Sequence, residues 1–233
     1  MMNKDRSIEY ILDQGLVKPK NAGEQAVDIF RSLGWKFLFW DTAYGLIFAA
    51  LTLVVIVVVL ISVPDNYRFS ATASAAPLLY LLIAVFTEMA ERANGLYELK
   101  QTCRYTPGQV TALRTTCYSV AGAVYTAILA LINMRGSEEF LPLLALGLFA
   151  LFVCAVPQLL IVRLIRCKWA NGLYAVLWVI INLTLFIRFG EAWEEILLTL
   201  PMTLSFSVAA AGAIILAYQI QKMLTEVEPY AIP

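Results

Sequence analysis

The chain has 233 residues, 61% of them hydrophobic and only 15% charged, with 17 basic and 17 acidic side chains and no histidine. A water-soluble domain carries nearer a quarter charged residues, so this composition excludes an ordinary soluble protein. The lack of histidine also excludes most zinc sites and every triad that turns on an imidazole.

Residues 1–41 are too polar to cross a bilayer and hold two helical candidates, separated at "QGLVKPKNAGEQ" by glycines and Pro19. In the second, from Glu24 to Trp40, Ala26, Ile29, Phe30, Leu33 and Phe37 recur at helical spacing with polar residues between them. This pattern predicts an amphipathic helix lying in the membrane interface, with Phe37 in the acyl boundary and Trp35 and Trp40 at headgroup level. The alternative is a helix packed on the protein's own cytoplasmic surface.

Six apolar runs then follow, at about 42–63, 77–89, 115–133, 140–162, 169–187 and 197–220. A helix needs roughly 20 apolar residues to cross about 30 Å of hydrocarbon. The expected fold is therefore all-α and polytopic, with six transmembrane helices in a domain over 42–220 and a tail at 221–233. The second run is short and is expected to extend past Glu88. The small residues of "SATASAAP" invite a signal-peptidase reading, but the long charged leader and the length of the first apolar run favour a retained anchor. Cys103, Cys117, Cys154 and Cys167 contain no CxxC pair and read as reduced thiols.

Orientation follows from the cations, which accumulate in cytoplasmic loops. Of the 17 lysines and arginines, only Arg68, Arg135 and Arg188 fall on one side of the expected topology, and the other 14 fall on the opposite side. A multi-pass plasma-membrane protein with both termini cytoplasmic is expected. The external connections are short, and the last, "RFGEAWEEI", places Glu191, Glu194 and Glu195 beside Trp193 in what reads as a solvated turn. Within the spans, Asn133, Gln158, Asn171, Asn182, Thr184 and Gln219 are expected to hydrogen-bond between helices. Ser119, Ala123 and Ala127, and likewise Ser207 and Ala211, recur at four-residue spacing as close-packing faces. Pro157 lies deep enough in the fourth span to kink it.

The connection over 92–114 is the most elaborate polar segment. Gly95 can end the second span, Glu98 to Tyr105 can run as a short helix, and Thr106 can cap a new helix with Pro107 at its first position. The result is a compact cytoplasmic knob. Its charged residues Glu98, Lys100 and Arg104 would orient a partner, and Leu99, Cys103 and Tyr105 would anchor it.

In Gly95, Glu98, Leu99, Thr102, Thr106, Gln109, Val110 and Arg114 this segment resembles the loop between the second and third spans of the membrane subunits of ABC type-2 exporters. The resemblance covers about twenty residues by motif and extends loosely to the six-span layout with its amphipathic lead-in helix. It implies that the knob, with Arg104 and Tyr105, docks on a separate ATP-hydrolysing subunit, that two copies pair, and that the chain is an export permease. Two features depart from the family. Arg104 stands where a proline is usual, and the last external connection is short for the re-entrant helical pair that many members carry.

No GxxxxGK[ST] phosphate loop is present, so ATP is expected to act only through a partner, and no cofactor, metal or nucleic acid is expected. No catalytic constellation stands out within the spans. The alternative is a membrane-embedded regulator or scaffold that holds a cytoplasmic factor by the N-terminal segment and the two cytoplasmic loops.

Overall fold

The computed structural model describes residues 62–93, 107–164 and 169–225, together with 53–58 and the single positions 23, 24, 27, 31, 47, 50 and 51. Among the described residues the chain is helical, with no strand. After a 3₁₀ turn at Asp65–Tyr67 come α1 (Arg68–Ala75), α2 (Leu78–Ala93), α3 (Pro107–Asn133), α4 (Phe140–Leu164), α5 (Ala170–Phe189), α6 (Glu191–Thr199) and α7 (Met202–Thr225). Five stretches are long and apolar enough to cross a membrane: Arg68–Met89, Gln109–Asn133, Phe140–Ile161, Ala170–Phe189 and Met202–Leu224. The protein is thus a helical membrane protein.

Most of the first expected span, the interfacial helix with Trp35, Phe37 and Trp40, and the C-terminal tail lie outside the described residues. Residues 53–58 are helical, and Leu53, Ile56 and Val57 pack on the core while Val54, Val55 and Val58 are exposed.

The second span differs from its expected bounds of 77–89. It begins nine residues earlier, at Arg68, and is broken at Ala76 and Pro77. The serines and threonines of "SATASAAP" enter the helix because their hydroxyls bond to it: Thr72 Oγ1 donates to Arg68 O at 2.8 Å and Ser74 Oγ to Ser70 O at 2.7 Å. A hydroxyl satisfied by the carbonyl one turn back needs no water. The last span likewise begins at Met202 rather than Leu197, because Gly190 reverses the chain at φ 47° and a separate helix, α6, precedes it. Only glycine adopts such a backbone at little cost.

The helix α4 occupies the centre, packing against α1, α3, α5 and α7. Its sequence is apolar on every side, as a helix with neighbours all round requires. Pro157 lies inside it. Tyr80, Leu81, Leu129, Leu151 and Cys154 form the fully buried heart of the bundle. Between membrane helices the driving force is close packing rather than escape from water, so small residues matter at the contacts. A Cβ at Gly147 would collide with the Thr126 methyl, and one at Gly212 would lie 2.8 Å from Phe152 Cβ. By contrast α5 is peripheral, with Leu173, Val176, Leu177, Ile180 and Ile187 exposed. These apolar side chains suit a lipid environment. Ser207 and Ala211 also point outward, whereas Ser205, Ala209 and Leu216 supply the inward face of α7.

The helices alternate in direction, so the bundle has two distinct ends. The turn end holds the start of α1, the 134–139 turn and α6. The loop end holds the end of α2, the starts of α3 and α5, and the end of α7.

Candidate functional site

At the loop end, Pro107 is the first residue of α3. Its missing N–H falls where a helix has no internal acceptor for it, so a proline starts the helix at little cost. Of the residues expected to dock a partner, Gly95, Glu98, Leu99, Thr102, Arg104, Tyr105 and Thr106 lie outside the described residues. The other two, Gln109 and Arg114, lie on the first two turns of α3 and face the bundle. Gln109 is half-buried and donates from Nε2 to the backbone oxygen of Leu224 at 3.1 Å. Arg114 is buried at 5% exposure. These side chains therefore join the foot of α3 to the end of α7 and to the bundle interior.

One turn deeper, a chain of polar side chains crosses three helices. Asn171 Nδ2, on α5, donates to Glu88 Oε2, on α2, at 2.8 Å. Gln158 Nε2, on α4, donates to Asn171 Oδ1 at 2.9 Å. The carboxylate fixes the sense of the chain: an ionised carboxylate only accepts, so Asn171 must turn its NH₂ toward Glu88 and offer its oxygen to Gln158. Gln158 Oε1 is left buried without a hydrogen-bond partner. Beside this chain, Tyr118 on α3 donates to Thr87 Oγ1 on α2 at 2.8 Å.

The turn end is held by charge. Arg68 Nη1 donates to Asn133 O at 2.9 Å and to Glu139 Oε2 at 3.0 Å. Asn133 Nδ2 donates to Thr72 Oγ1 at 3.0 Å. Glu139 also accepts from the backbone N–H of Arg135 at 3.1 Å. That backbone donor, followed by the Arg68 guanidinium, holds the Glu139 carboxyl below its ordinary value. On the other side, Glu194 is buried and accepts from the backbone N–H groups of Phe69 at 2.7 Å and Ser70 at 2.8 Å. A helix start leaves its first N–H groups without internal acceptors, and a carboxylate satisfies two of them while meeting the positive end of the helix dipole. The acidic connection expected as a solvated turn is instead a nine-residue helix that buries Glu194, while Glu191 and Glu195 stay exposed.

Sequence reasoning found the interhelical roles of Asn133, Gln158, Asn171 and Asn182, but not those of Arg68, Glu88 and Glu194. The only local hint for Glu194 is an acidic first turn after a glycine, and its partner lies 124 residues away. No group of three or more metal-ligating side chains occurs among the described residues. Comparison with protein-family profiles, with characterised proteins and with solved structures finds no match to this chain.

Proposed function

We propose that this chain is the non-catalytic membrane subunit of an exporter, driven by a separate ATPase and working as a pair of six-span copies with cytoplasmic termini. The carrying observation is the segment from Gly95 to Arg114, whose glycine, glutamate, threonines and entering arginine match the spacing of the docking loop in ABC type-2 membrane subunits. The start of α3 at Pro107 supports the reading, because it leaves a short polar connection between two spans, with the last motif residues, Gln109, Val110 and Arg114, on the entering helix. The exposed apolar faces of α5 and α7 offer surface to lipid or to a second copy.

In this scheme the knob formed by Glu98, Leu99, Thr102, Arg104, Tyr105 and Thr106 moves with the ATPase. Movement at the foot of α3 reaches the last helix through Gln109 and Leu224, and the Glu88–Asn171–Gln158 chain carries it across α2, α5 and α4. The single helix α6 stands where many members of the family carry a re-entrant pair, so the outer mouth would be closed by α6 and its Glu194 contact.

Co-purification of the full chain with a separately encoded ATPase tests this. Association is expected, and exchange of both charges, Glu98→Lys with Arg104→Glu, is expected to abolish it while the membrane domain remains folded. No association with or without nucleotide would overturn the proposal. Association without nucleotide-dependent transport in reconstituted vesicles would support the scaffold instead.

A further inference from the structure

At the turn end, the break between α1 and α2 leaves a cavity of about 320 Å³ against α5 and α6. Four aromatic side chains, Tyr67, Trp178, Phe186 and Trp193, line it among aliphatic ones, with Tyr67 and Phe186 in edge-to-face contact at 5.1 Å and 68°. No Asp, Glu, Lys or Arg lines it among the described residues. Its polar atoms belong mainly to one small set. Asn182 Oδ1 lies 3.0 Å from Ser74 Oγ, which shares its one proton between this oxygen and Ser70 O at 2.7 Å, and Asn182 Nδ2 donates to Trp178 O at 2.9 Å. Trp178 Nε1 donates to Ser74 O at 3.3 Å. A carboxamide carries two N–H donors and two oxygen lone pairs. With one N–H used and at most one oxygen lone pair engaged, Asn182 keeps a donor and an acceptor position at the half-buried cavity wall.

We propose that this cavity binds a compact, neutral aromatic molecule bearing one hydroxyl or carbonyl group, which bonds to Asn182. The volume falls at the small end of ligand sites, which span about 300–1,000 Å³ and are mostly apolar with a few placed polar groups. The walls supply ring-to-ring contact, and the lack of a charged lining disfavours an ion. Asn182 lies eight residues before Gly190, about 12 Å along the helix from the turn. A phospholipid seated there would keep its headgroup at the interface and bring only methylenes to Asn182. A small aromatic alcohol brings a partner for the amide. The site lies within one copy and is independent of any ATPase, so it stands or falls separately from the transport reading.

The test uses the full chain in lipid nanodiscs and the neutral nitroaromatic quencher 4-nitrobenzyl alcohol, with 4-nitrotoluene as the analogue lacking a hydroxyl. Quenching of tryptophan fluorescence by the alcohol is expected to saturate, and to lose most of its saturable part in the double variant Trp178→Phe with Trp193→Phe. Asn182→Leu is expected to weaken the alcohol about fivefold, the worth of one hydrogen bond, and to leave 4-nitrotoluene unchanged. Ala71→Phe and Leu183→Phe fill the cavity from opposite walls, and each should leave only the linear quenching of membrane partition. Two walls guard against one variant failing to fold. Linear quenching in the unaltered chain, or saturable quenching that survives both filling variants, would overturn the proposal. So would quenching by a brominated-chain phospholipid that the alcohol cannot displace, since a lipid chain would then be the occupant.

Discussion

The two ends of the bundle hold their helices by different chemistry. At the turn end, ionised groups meet backbone: Arg68 reaches the last carbonyl of α3 and Glu194 caps α1, and both contacts depend on full charges near the helix termini. At the loop end, side chain meets side chain: two amides relay from the Glu88 carboxylate across α5 to α4, with Gln158 Oε1 unpaired, and Gln109 on α3 meets the last turn of α7. Charge-assisted bonds are roughly twice as strong as neutral ones. Amide contacts in a membrane average well under 1 kcal/mol, because alternative partners are also found there. The difference is between charged side chains fixed on backbone at the turn end and a side-chain relay at the loop end.

Removing the anchor should have the largest effect. Glu194→Leu leaves two helix-start N–H groups without their acceptor and is expected to cost about 3 kcal/mol, read as thermal unfolding in detergent. Glu194→Gln keeps one acceptor oxygen and should cost about half as much. An equal loss at the loop end would erase the contrast. Close packing reinforces the turn half: Gly147→Ala sets a methyl against Thr126 and is expected to cost about 2 kcal/mol, with partial recovery in the double variant with Thr126→Ser. Asn171→Leu severs the chain and removes one donor from the Glu88 carboxylate, and its expected cost is about 1.5 kcal/mol, half that of removing the two-donor Glu194 anchor. Combining it with Gln158→Leu should add little, since both break one chain; strict additivity would show that the residues act separately.

The smallest effect concerns acid. The Glu139 carboxyl titrates lower in the folded protein than its ordinary value of 4.5. Its contribution is therefore complete above that value and is lost as pH falls through the lower folded value. The group is more than a third exposed, so the effect is screened and small. An acid titration of stability should show a shallow loss below pH 4.5 that Glu139→Gln removes.

Much of the fold was legible in the residues, and little of this contrast. The third, fourth and fifth spans were found within a few residues, because their apolar runs end at turns or charges; the third starts at Gln109 rather than 115, on a helix whose first residue is Pro107 as expected. The second and sixth were displaced for physical reasons. In sequence the small polar run with Thr72 and Ser74 falls outside the second span, but its hydroxyls bond to their own helix. The leucines of α6 look like the start of a span, but Pro201 separates them from it and α6 packs against α1. The roles of Arg68 and Glu194 depend on backbone groups brought from far along the chain, and no local pattern encodes that. Gln109 and Arg114 matched a docking spacing, and the structure adds that both side chains turn into the bundle.

The central claim is that the 95–114 loop meets an ATPase. It is tested most directly by a cysteine at Leu99, cross-linked to the co-expressed ATPase in a chain whose native cysteines are replaced by serine. The expected result is a cross-link whose yield changes between nucleotide-free and ATP-trapped states and disappears when Glu98 and Arg104 are both reversed in charge. A folded, membrane-inserted chain that gives no cross-link in either state would contradict it.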